Sequence, residues 1–101
     1  MLRYKVRRDK RSQAPIFDFE DKEYALLGEF LLAEGRTFGG EMLSFLEKCR
    51  EQTQPAEFAG NVFRIEVQED KARVINDLTD KECQVSLADL ANVVRDYDEL
   101  V

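Results

Sequence analysis

The sequence predicts an α+β domain in which helices pack on one face of an antiparallel sheet. Three observations lead to this class. Apolar residues recur with a period of two near the start and again in the second half of the chain. Helical spacing occupies the middle and the end, so strands and helices fall in separate blocks without βαβ alternation. The length of 101 residues predicts a single domain over 1–101.

The chain is expected to begin with strand structure. Leu2, Tyr4 and Val6 alternate with basic residues, which predicts an antiparallel strand with a solvated basic face. Phe17 and Phe19 alternate in the same way. Residues 16–20 therefore form either a second short strand or an extended lead-in whose aromatic side chains fill the core.

Two helices are expected next. Asp21 is a suitable N-cap for a first helix over about 22–34, and Gly35 is a suitable residue to end it. Residues 39 and 40, both glycine, are interpreted as a loose loop before the second helix.

The second helix is predicted from apolar residues at i, i+3, i+4 and i+7 between Met42 and Cys49. It should end before Pro55, because the residue before a proline avoids the α region.

Three further strands and a final helix complete the prediction. A hairpin pairs a strand through Phe63–Val67 with one through Ala72–Leu78, and Cys83–Val85 forms a third strand. Ser86 is the predicted cap of a terminal helix. The predicted order is β-(β)-α-α-β-β-β-α, with three to five strands in the sheet. Its solvated face is predicted to carry Arg64, Glu66, Gln68 and Arg73.

Charge is distributed unevenly along the chain. Residues 1–11 hold six basic side chains and one acidic one, whereas residues 12–101 hold nine and twenty, for a net charge of −6. An acidic body repels nucleic acid and anionic membranes, and it attracts basic partners. The basic segment is either a phosphate-binding strand or a solvated face whose charges lie against the acidic body.

The residue inventory excludes several kinds of chemistry. The chain has no histidine, which removes the commonest general base and the commonest zinc ligand. Cys49 and Cys83 lie on apolar phases, which predicts buried free thiols in a reducing compartment. No phosphate-binding loop, signal peptide or membrane-length apolar run is present. We therefore expect a cytoplasmic protein that is not an enzyme, with no catalytic residue, metal site or cofactor.

Two groups of carboxylates are the candidate partner-binding residues. Paired carboxylates can also perform catalysis, but such pairs usually need a cleft in a larger body. Binding of a cationic partner requires only an acidic surface. Such a surface accelerates association with that partner and disfavours partners of the wrong charge. For each single residue, the alternative to partner binding is a carboxylate in a solvated turn or helix start. The first group is Asp18, Glu20, Asp21 and Glu23, and the second is Asp77, Asp80 and Glu82.

The second half of the chain resembles the immunity proteins of contact-dependent growth inhibition systems. The resemblance covers about residues 55–101. It consists of the stretch Glu57–Val67, which includes Phe58-Ala59-Gly60-Asn61, a turn at Glu69-Asp70, a strand through Val74–Asn76, and Val85–Leu90 leading into a terminal helix. It implies a cytoplasmic protein that binds and neutralises a toxin C-terminal domain, often a nuclease. No binding residue carries over, because Gly60 is interpreted as relieving a strand bend and the aromatic residues as core.

The carboxylate groups and the resemblance both lead us to expect an immunity or inhibitor protein that occludes a basic toxin domain stoichiometrically. This interpretation involves no direct contact with nucleic acid or membrane. The first alternative is a small adaptor or homo-oligomeric interaction domain. A third possibility is nucleic-acid binding through the basic N-terminal residues Arg3, Lys5, Arg7, Arg8, Lys10 and Arg11.

Overall fold

A computed structural model describes residues 2–52 and 54–101, and these form six strands and two α-helices. The N-terminal part contains β1 (Tyr4–Arg8), β2 (Pro15–Phe19), a 3₁₀ turn (Lys22–Tyr24) and α1 (Ala25–Glu51). The rest contains β3 (Ala56–Ala59), β4 (Phe63–Gln68), β5 (Lys71–Asn76), β6 (Glu82–Ser86) and α2 (Leu87–Leu100).

The six strands form two antiparallel sheets, not the single sheet of three to five strands that the sequence predicts. β1 pairs with β2, and the other four strands form one sheet in the order β3-β4-β5-β6. In the larger sheet one row runs through Phe58, Ile65, Val74 and Cys83 on the face that joins the apolar core with α1 and α2. The opposite face carries half-exposed Arg64 and Glu66. The predicted α+β class and one-sided core are thus confirmed, and residues 16–19 belong to a strand, β2, which ends before Glu20.

The predicted order of elements is wrong at two places. The two expected helices are one continuous helix, α1, which includes the residues assigned to a loop at positions 39 and 40. A short strand, β3, also precedes the predicted hairpin. Leu78, expected on the apolar face, is 80% exposed because β5 ends at Asn76.

The glycines of α1 do not interrupt the helix. No glycine among the described residues has a positive φ, so Gly35 does not end the helix in a left-handed conformation. A Cβ atom on Gly35 would lie 2.5 Å from Cε1 of Tyr97, and one on Gly39 would lie 2.7 Å from Oδ1 of Asp98. These glycines therefore permit the close crossing of α2 over α1, at a modest cost in helix propensity.

A single buried charged residue connects α1 to the β3–β4 turn. Glu34 is 1% exposed, and its carboxylate accepts hydrogen bonds from the backbone N–H groups of Asn61, Val62 and Phe63 at 3.1, 3.0 and 2.9 Å. Gly60 lies directly against this carboxylate, and a Cβ atom there would collide with it. Gly60 is therefore required by close approach and not, as expected, by a strand bend.

The Tyr97 hydroxyl is the one buried side-chain oxygen or nitrogen without a hydrogen-bond partner in residues 2–52 and 54–101. Its ring is 1% exposed and meets Phe17 edge-on, with centroids 5.3 Å apart. An unsatisfied buried polar group is costly, so Tyr97→Phe is expected to raise the free energy of unfolding by about 1 kcal/mol. Urea unfolding measures this change. A loss of stability would show that the hydroxyl has a partner after all.

Candidate functional site

The first predicted acidic group lies where β2 passes into α1. Asp21 is an N-cap as predicted, but it caps the 3₁₀ turn: its Oδ1 accepts a hydrogen bond of 3.0 Å from the Glu23 backbone N–H. The Glu20 N–H donates to the Arg3 carbonyl at 3.0 Å. The backbone is thus fixed, while the side chains of Glu20, Asp21 and Glu23 remain exposed.

The second predicted acidic group lies on the turn between β5 and β6. Oδ1 of Asn76 accepts hydrogen bonds from the N–H groups of Leu78 and Thr79 at 2.8 and 3.2 Å. Asp80 closes the turn with φ of 62°, and its N–H donates to the Asn76 carbonyl at 2.8 Å. The turn is therefore well ordered although its side chains are exposed.

One contact brings these two segments together. The Cys83 thiol donates to the Glu23 carbonyl oxygen at 3.3 Å, which places the first segment against β6. Burial, with the nearby Glu23 charge, raises the pKa of Cys83 from 9.0 to about 11, so this thiol stays protonated at neutral pH. We call the exposed carboxylates of these two segments the acidic edge, defined as Glu20, Asp21, Glu23, Asp80 and Glu82.

Ion pairs divide the predicted contact residues into two kinds. Three of them lie against arginines: Asp18 against Arg7 at 2.6 Å, Asp77 against Arg64 at 2.8 Å and Glu82 against Arg73 at 3.5 Å. The other four, Glu20, Asp21, Glu23 and Asp80, have no lysine or arginine within ion-pair distance in the described part of the chain.

The outer face of the larger sheet carries Arg64, Glu66 and Arg73, as predicted, and these side chains form an ion-pair network. Glu66 lies between Arg64 and Arg73 and pairs with both. The hydrogen bond from Arg73 is the largest effect on Glu66 and holds the pKa of its carboxyl below the usual value. Because Arg64 and Arg73 are shared in this way, the face presents little free positive charge.

Two open concavities adjoin the acidic edge. The larger, of about 1060 Å³, is lined by Glu23 and Tyr24 together with side chains of β4, β5 and β6 such as Glu66 and Gln84. The smaller, of about 770 Å³, carries both signs of charge, since Arg3 and Lys22 line it together with Glu20, Asp21 and Asp89. Asp89 is not among the predicted contact residues, because a position three residues after Ser86 indicates only a helix cap. The Asp89 backbone N–H does donate to the Ser86 hydroxyl, at 3.1 Å.

The basic N-terminal residues lie on and beside β1. All six are exposed. Arg7 pairs with Asp18, and Arg8 donates to the carbonyl oxygens of Gln13 and Leu100 at 3.0 and 3.3 Å. The four others form no ion pair with described residues. The hairpin therefore keeps free positive charge on a largely acidic molecule.

Both cysteines are buried and free, as predicted. In residues 2–52 and 54–101, no three cysteine or acidic side chains come together in an arrangement that could hold a metal ion. Neither described helix combines the length and apolar character needed to cross a membrane. No protein-family model, curated protein or solved structure matches the chain.

Proposed function

We propose that this protein is a cytoplasmic immunity or inhibitor protein that binds a basic toxin domain and neutralises it by stoichiometric occlusion. The observation that carries the proposal is the acidic edge. It combines exposed carboxylates of two segments that meet where Cys83 contacts Glu23, and four of the seven predicted contact residues have no lysine or arginine within ion-pair distance in the described chain.

The local structure suits these carboxylates to recognition. Asp21 and Asn76 fix the two backbone segments before any partner arrives, through the 3₁₀ cap and the hydrogen-bonded turn. Less conformational entropy is then lost on binding than with mobile loops. A nuclease must present positive charge to grip phosphates, and fixed carboxylates can occupy that site in their place.

The ion pairs rank the candidate residues. Glu20, Glu23 and Asp80 are exposed and form no ion pair in the described chain, so a partner does not have to displace an arginine to reach them. Asp18, Asp77 and Glu82 form ion pairs with arginines, and these ion pairs must break before the carboxylates can bind another cation. Reversal of the first three charges should therefore weaken binding more than reversal of the second three.

A pull-down with tagged protein from the source lysate, washed at low and then high salt, tests this proposal. We expect the wild-type protein to retain one basic domain stoichiometrically, and the purified domain to lose its activity at a molar ratio of about one. The Glu20→Lys/Glu23→Lys/Asp80→Lys variant should associate with that domain about tenfold more slowly.

The matched control is Glu29→Lys/Glu51→Lys/Glu99→Lys, which changes the net charge equally at exposed positions outside the acidic edge. Equal loss of binding in both variants would show that only total charge matters. Recovery of the tagged protein alone, or of nucleic acid that salt removes, would contradict the proposal.

A further inference from the structure

The apolar core reaches the surface at one edge of the larger sheet. In the row that contains Phe58, its neighbour Ile65 is fully buried and Val74 is 0% exposed, whereas Phe58 itself is half-buried. Two half-buried aromatic rings of α1 extend this patch: Phe38 and Phe45 lie 6.2 and 5.6 Å from the Phe58 ring, centroid to centroid. β3 pairs only with β4 among the described strands, so its outer edge is open.

The outer face of β3 carries an uncompensated negative charge. Glu57 is exposed and lies directly opposite Glu66 on β4, which is an unfavourable cross-strand pair. The arginines that neutralise Glu66 lie on β4 and β5, and no cation among the described residues pairs with Glu57. A strand added to β3 would therefore be favoured if it were basic on this face and apolar beside Phe58.

β1 of this same chain has that pattern. Lys5 is exposed on one face, while Tyr4 and Val6 lie on the other, and Val6 is 45% exposed. In the part of the chain that the structure describes, β1 pairs only with β2 and its outer edge is open. Tyr4 stacks on Phe17 with ring centroids 4.3 Å apart, so the apolar face of this small sheet points to the core.

We propose that the protein associates with itself by pairing the basic β1 edge of one copy with the acidic, aromatic β3 edge of another. The two sheets would join as β2-β1-β3-β4-β5-β6 across the contact, with both apolar faces on the side of the helices. Glu57 would face basic residues of β1, and Val6 would cover the half-buried aromatic rings of Phe38, Phe45 and Phe58.

Charge makes this contact directional. Two β1 edges repel each other because both are basic, and two β3 edges place Glu57 near Glu57 of the other copy. The favoured contact joins different surfaces of the two copies, so it is heterologous and does not stop at a symmetric dimer. Because the contact depends on attraction between opposite charges near the surface, salt should weaken the association. The inference is independent of the proposed inhibitor function, which uses the acidic edge at β6.

Analytical ultracentrifugation of the full chain tests the inference. At about 10 mM salt the average mass should rise with concentration beyond that of a dimer, and at about 500 mM it should return to the monomer. Glu57→Lys should be monomeric in both conditions, and so should Arg3→Glu/Lys5→Glu. The control Glu29→Lys, an exposed charge reversal on α1, should still associate.

Mixing the two monomeric variants is the decisive step. Each contact in the mixture again joins a basic edge to an acidic one, so association should return although neither variant associates alone. Circular dichroism confirms that each variant is folded. A wild-type monomer at every concentration and low salt would overturn the inference. A dimer that does not grow or respond to salt, or a mixture that stays monomeric, would overturn it as well.

Discussion

Glu34→Ala is expected to lower the free energy of unfolding by about 3–5 kcal/mol, since three backbone donors lose the carboxylate that they share. Glu34 is 1% exposed, and its bonds join the middle of α1 to residues 61–63 at the start of β4. A domain of this size is stable by about 5–15 kcal/mol, so the loss is a large share of the total.

Urea unfolding of the wild type and two variants measures this effect. Glu34→Gln should lose about 2–4 kcal/mol, because its amide keeps one acceptor oxygen but turns N–H donors toward the backbone donors. Glu29→Gln removes an exposed carboxylate from the same helix and should change stability by less than about 0.5 kcal/mol. A Glu34→Ala protein as stable as the Glu29→Gln control would show that Glu34 does not hold the turn.

Gly35→Ala is the second large effect, and its sign opposes helix propensity. In an exposed helix interior, alanine is favoured over glycine by about 1 kcal/mol. At Gly35 the new Cβ would lie 2.5 and 2.6 Å from two carbons of the Tyr97 ring, which is buried against Phe17 and cannot swing away. We expect overpacking to prevail, with a net loss of about 1–3 kcal/mol.

Gly40→Ala provides the matched control for this prediction. Gly40 lies five residues along the same helix, and a Cβ atom there would meet nothing within 4 Å. Its substitution should stabilise the protein by about 0.5–1 kcal/mol. Opposite signs at the two positions in thermal or urea unfolding are the expected result. Stabilisation by both substitutions would mean that α2 does not cross α1 closely at Gly35.

Sequence patterns predicted the strands with strict alternation because one face of each strand is buried. They missed β3, since its four residues, Ala56–Ala59, show only a half-buried and exposed alternation and contain two alanines of low strand preference. They also predicted two helices in place of α1, because a glycine can either end a helix or permit close packing within one. Only the position of Tyr97 on α2 distinguishes these two roles at Gly35.

The candidate site was predictable as composition but not as geometry. Clusters of acidic residues are visible in the sequence. The contact between the two segments, from the Cys83 thiol to the Glu23 carbonyl, depends on how the chain folds back. Which carboxylates face arginines depends equally on strand register: the pairing of β4 with β5 places Glu66 opposite Arg73. One feature of the sequence indicates that Glu34 is buried: it lies three residues after the fully buried Leu31, on the apolar side of the helix.

The most direct test of the proposed function is chemical-shift mapping by NMR. The isotopically labelled chain would be titrated with the basic domain recovered in the pull-down. We predict that the backbone amides of residues 20–24 and 78–84 shift first and most, because these segments form the acidic edge. Shifts confined to β1 and its turn, with these segments unchanged, would contradict the account and assign recognition to the basic hairpin.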